Sequence, residues 1–116
     1  MKMKYLVLIT SLVMFTKLNG FTQTNSKFKE IKIQTSAQCE MCKERIEEAL
    51  AFEKGVKNSE LDLDSKIIEV IYYPGKTNPE KIRKAISKAG YDADDILADK
   101  KAYKKLPLCC RKPEEE

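Results

Sequence analysis

Cys39 and Cys42 are the residues whose type and spacing bear most directly on chemistry, two thiols in a C-x-x-C arrangement. With the second cysteine on the first turn of a helix, both sulfurs converge on one point. The free N–H groups and positive potential of a helix amino terminus favour thiolate over thiol. A thiolate pair selects soft ions: Cu(I), Hg(II), Zn(II) or Cd(II). Two sulfurs alone suit near-linear coordination, whereas a closed zinc site takes four ligands. The same motif also serves thiol–disulfide exchange, and in an oxidising compartment the pair can close as a structural disulfide.

Cys109 and Cys110 are the other two cysteines, adjacent to each other near the carboxyl end. They are read either as an additional pair of metal ligands, folded back onto the first pair, or as a disulfide. The 116 residues include no histidine. An imidazole general base, Ser-His-Asp or Cys-His catalysis and His-ligated zinc are therefore excluded. Any strong soft-metal site must be built from sulfur. No carboxylate pair lies in a catalytic motif, so an enzyme is not expected. The redox alternative, a small exported thiol–disulfide protein, uses the same C-x-x-C. Its flanking residues, AQCEMCK, lack the aromatic and proline usual in such motifs.

Alternation of Ile31 and Ile33 predicts a first strand over 30–35. Cys42, Ile46, Ala49 and Leu50 then recur at helical spacing and predict a helix over 41–53, with Lys43, Glu44, Glu47 and Glu48 facing outward. Gly55 is read as its C′ residue. Two strands follow over 58–63 and 66–73 around Asp64-Ser65, with Ile68, Val70 and Tyr72 on one face. Asn78 caps a second helix that starts on Pro79, buries Ile82, Ala85, Ile86 and Ala89, and stops at Gly90. The next residues, YDADDILA, are acidic and poor in β-branched types, so a fourth strand is weak or missing. Asp99 caps a short helix over 100–106 that Pro107 ends. The fold class is α+β: a ferredoxin-like βαββαβ sandwich lacking most of its last strand, with a short carboxyl-terminal helix.

The stretches EIKIQTSAQCEMC, SELDLDSKIIEVIYYP and NPEKIRKAISKAGYDA resemble the heavy-metal-associated domain family across residues 29–96. That family includes copper chaperones, amino-terminal domains of copper-transporting P-type ATPases and an exported mercury-binding protein. The resemblance implies soft-metal binding by the C-x-x-C pair, carried here to Cys39 and Cys42. It places Tyr91 in the loop where relatives set an aromatic or a lysine near the metal, to shield the site or to pack. Relatives commonly have Met two residues before the first cysteine; here that residue is Ala37. No Asp immediately precedes Cys39, which leans away from zinc-preferring variants. Met41 is read as solvent-facing. Cu(I) is the first-choice ion and Hg(II) the second, with Zn(II) and Cd(II) behind. The implied partner is a metal transporter or another metal-binding domain, which receives the ion by ligand exchange.

Residues 1–23 stand apart from this domain. Lys2 and Lys4 precede the apolar run YLVLITSLVMF, an arrangement that reads as an export signal. The run is short of the about 20 residues a membrane span requires. The protein is expected to be periplasmic or secreted, or membrane-anchored through this segment alone if it is uncleaved. The formal charge of +4 changes once the segment is set aside. Three of the 22 basic residues and none of the 18 acidic ones lie in it, leaving 19 against 18 and a net of +1. Nucleic-acid binding loses its composition argument. Residues 97–116 form an extension that carries Cys109 and Cys110.

Overall fold

The computed structural model describes residues 27–113. The export segment expected over 1–23 lies outside them. Strands β1 (Lys29–Gln34), β2 (Val56–Asp62) and β3 (Ile67–Tyr72) form an antiparallel sheet in the order β1-β3-β2. Helices α1 (Glu40–Ala51), α2 (Pro79–Lys88) and α3 (Lys100–Lys104) follow the expected sequence of elements, and a 3-10 turn spans Leu108–Cys110.

The period-2 pattern determines which sheet face is buried. Ile68 on the central strand pairs with Ile33 on one side and Leu61 on the other, and all three are buried. Val70 and Tyr72 continue that face. It joins Ile46 and Leu50 of α1 and Ile82 and Ile86 of α2 in one core. Each of these large apolar side chains contributes about 1.5–3 kcal/mol by leaving water. Asn78 caps α2 as expected, its side chain accepting from the Lys81 N–H at 2.9 Å, with Pro79 in the first turn. Asp99 does the same for α3, accepting from Ala102 N–H at 3.0 Å.

Three expectations are corrected. First, α1 ends at Ala51 with Phe52 as its cap, so Gly55 is not its C′ residue. Gly55 instead sits at φ 90° in the turn that opens β2. Second, Glu47 does not simply face water. Its carboxylate accepts the Leu61 N–H at 2.9 Å and pairs with Lys43 at 2.6 Å, which satisfies an outward backbone donor of edge strand β2. Third, the helix expected over 100–106 is shorter, although Leu106 beyond it is buried.

The fourth strand is reduced to isolated bridges, Thr35 with Ala93 and Ala93 with Ile96. Asp94 takes over its bonding. Its N–H donates to the Gln34 carbonyl at 2.8 Å, and its carboxylate accepts the Gln34 N–H at 2.8 Å and the Arg83 Nε at 2.8 Å. One residue thus satisfies both backbone groups of Gln34 at the end of β1.

Candidate metal centre

The loop between β1 and α1 is held from both sides before it reaches the cysteines. Thr35 Oγ1 donates to the Lys66 carbonyl at 2.8 Å, and Ser36 Oγ accepts the Asp92 N–H at 2.9 Å. Ala37 is fully buried, in place of the longer methionine of the family pattern. Cys39 is the N-cap of α1; its carbonyl accepts the Cys42 N–H at 2.9 Å and the Lys43 N–H at 3.1 Å. Cys42 falls on the buried face of the first turn, one helical repeat before Ile46. Met41, between them, is 43% exposed, as its reading required.

All four cysteines are free thiols. The Cys39 and Cys42 sulfurs are 3.5 Å apart. Of the tail pair, one member is buried within the cluster and the other lies exposed at its edge. Cys110 is 1% exposed with its sulfur 3.8 Å from that of Cys39, and the Cys39, Cys42 and Cys110 sulfurs all lie within 4.8 Å of one another. Cys109 is exposed, its sulfur 3.9 Å from that of Cys110. Tyr91 is entirely buried. Its hydroxyl has no hydrogen-bond partner among the described residues, yet the thiols of Cys110 and Cys42 are close enough to affect its ionisation.

Electrostatics differ across the cluster. Cys39 is lowered to about 7, first by the Cys42 backbone N–H, against desolvation, with further help from the neighbouring thiols. Cys110 is pushed up to about 12, chiefly by burial. Burial also pushes Tyr91 well above the ordinary phenol range. Near neutral pH the cluster therefore has one thiol poised to ionise at the helix end and one that burial keeps protonated. Because the folded value for Cys39 lies below the usual 9.0, its thiolate stabilises the fold above about pH 9, and that contribution fades as pH falls through about 7. Iodoacetamide labelling of the reduced chain is expected to modify Cys39 with a rate that rises through about pH 7. A midpoint for Cys39 at the ordinary thiol value would contradict this.

The profile of the heavy-metal-associated domain matches residues 36–92. A copper-exporting P-type ATPase of Staphylococcus aureus is 39% identical over 59 residues, which cover 51% of this chain and 7% of the ATPase. The chain thus spans only a small part of the curated relatives it matches. Among solved structures, a copper-form CopA variant from Bacillus subtilis is 31% identical and aligns over 63% of this chain and 93% of its own, with a TM-score of 0.51. The CopZ metallochaperone is 26% identical over 56% of this chain and 98% of its own, with a TM-score of 0.54. The matched residues 36–92 hold the C-x-x-C loop, both helices of the core and the hairpin between them, and by these likenesses the chain belongs to the heavy-metal-associated domain family.

Proposed function

We propose that this protein is an exported carrier or store of a soft metal ion, with Cu(I) its first choice and Hg(II) its second. The observation that supports the reading is the pair of sulfurs at the start of α1, one of them poised as thiolate near neutral pH. Cys39 and Cys42 are its ligands. Thiolate donors discriminate for soft ions by their own chemistry, and no imidazole is available to build a mixed site. The copper-exporting ATPase and the CopZ metallochaperone among its relatives favour copper and a metal-binding partner.

Delivery follows from ligand exchange. A partner's thiolate adds to the ion, the coordination number rises by one, and a Cys39 or Cys42 thiolate then leaves and takes up a proton. No group changes oxidation state. Glu40, Glu44 and Glu48 are exposed along the polar face of α1, which leads away from the loop. Export rests on Lys2, Lys4 and the apolar run that follows them.

Competition titrations of the reduced chain with Cu(I), Hg(II), Zn(II) and Cd(II) test the reading. Cu(I) and Hg(II) should bind far more tightly than Zn(II). Zn(II) binding as tight as Cu(I) would overturn it.

A further inference from the structure

The two sulfurs of the C-x-x-C are too close for the coordination that a pair alone would favour. A thiolate–metal bond of about 2.3 Å puts the sulfurs of a linear pair about 4.6 Å apart and those of a planar trio about 4.0 Å apart. The observed separations are 3.5 Å for Cys39 and Cys42 and 3.8 Å for Cys39 and Cys110, with the third no more than 4.8 Å. Both separations from the Cys39 sulfur lie nearer the spacing of the trio than that of the linear pair.

The carboxyl-terminal segment that brings Cys110 is fastened to the domain along its length. Ser87 Oγ donates to the Leu97 carbonyl at 2.7 Å, and Asp99 N–H donates to the Ser87 carbonyl at 3.0 Å. Asp92 accepts the Ala98 N–H at 2.8 Å and pairs with Lys112 on the far side of the cysteines. Leu106 is buried in the core. Gly90, at φ 102°, lets the backbone of α3 approach so closely that a Cβ there would lie 3.1 Å from Ala102. A second observation points at the same spot. The buried Tyr91 hydroxyl lacks a hydrogen bond among the described residues, and a charged thiolate at Cys110 or Cys42 would give it an acceptor.

We propose that Cys110 is a third thiolate ligand, which with Cys39 and Cys42 makes a three-coordinate soft-metal site supplied from two distant parts of the chain. The assignment rests on the soft-metal reading above. Cys109, exposed and outside the trio, is not a ligand. A third sulfur from the same chain fills the position an incoming thiolate would take. The extension therefore favours retention of the ion over its release.

The test uses the reduced, full-length chain loaded with Cu(I). X-ray absorption should count three sulfurs around copper in the unmodified chain and two in Cys110→Ser. By competition titration, Cys110→Ser should bind Cu(I) at least about 10-fold more weakly, since even residues that only orient a ligand are worth 10–100-fold. Cys109→Ser should leave both readouts unchanged. Two sulfurs in the unmodified chain would overturn the third ligand whether or not any variant folds. So would an undiminished affinity in Cys110→Ser, or a matching loss in Cys109→Ser. If Cys39→Ser, Cys42→Ser abolishes binding in the same series, the soft-metal reading stands alone; if that double variant binds as before, both fall.

Discussion

Serine at both Cys39 and Cys42 should cost the protein its Cu(I) binding, with affinity falling by at least about 1,000-fold, or some 4 kcal/mol at 1.4 kcal/mol per factor of ten. Serine keeps the shape of the loop and removes the soft donor. Its hydroxyl does not ionise near neutral pH and is a poor ligand for a soft cation. Both residues sit where α1 begins, Cys39 as N-cap and Cys42 on the first turn, so neither replacement removes a helical hydrogen bond made by a side chain. The fold should survive, and circular dichroism of the apo chain checks this. Competition with a Cu(I) chelator measures the loss. A double variant that folds and still binds Cu(I) within tenfold of the unmodified chain would place the ion elsewhere.

The second large effect concerns stability. Ile46 is fully buried one helical repeat after Cys42, in the same core as Ile33, Ile68 and Val70. Ile46→Ala should destabilise the domain by about 2–5 kcal/mol through lost burial and the cavity left behind. Folded domains have only about 0.05–0.15 kcal/mol of stability per residue, so a domain this small loses a large part of its total. Denaturant titration of the reduced apo chain reads this directly. Met41→Ala, at an exposed position on the same helix, should stay within about 0.5 kcal/mol. Adding Cu(I) should restore part of the stability, because an ion bound only by the native state shifts the folding equilibrium toward it. Equal stabilities for Ile46→Ala and Met41→Ala would contradict the place given to α1 in the core.

What the sequence made legible was local. The alternation of Ile68, Val70 and Tyr72, the Asn78-Pro79 start of α2, and Asp99 and Pro107 around α3 each state a short-range rule, and each element formed. The C-x-x-C is equally local, since three residues and one helical turn suffice to bring its sulfurs together. The misread features depend on distant partners. Glu47 sits in a run of charges that looks solvated, and only the edge of β2 beside it supplies the Leu61 N–H it binds. The weak fourth strand was expected, but the bonds of Asp94 to Gln34 and Arg83 were not legible, because those partners lie far away in the chain.

Cys109 and Cys110 show the limit most clearly. Successive residues of a 3-10 turn point about 120° apart, and here Cys110 is buried while Cys109 is exposed, its sulfur still 3.9 Å from that of Cys110. Which one turns inward is decided by the way Leu106 is anchored and Pro107 redirects the chain, not by residue type. Leu108, the most apolar residue of the turn, is 81% exposed, while Cys110 is buried. No periodicity would have chosen between the two cysteines.

Cys39 and Cys42 are proposed to hold a soft ion and not to run thiol–disulfide chemistry. One paired measurement on the reduced full-length chain tests it: Cu(I) titration against a competing chelator, with insulin reduction assayed on the same sample. Tight binding of one Cu(I) per chain with no reductase activity is the predicted result; insulin reduction with only weak Cu(I) binding would contradict it.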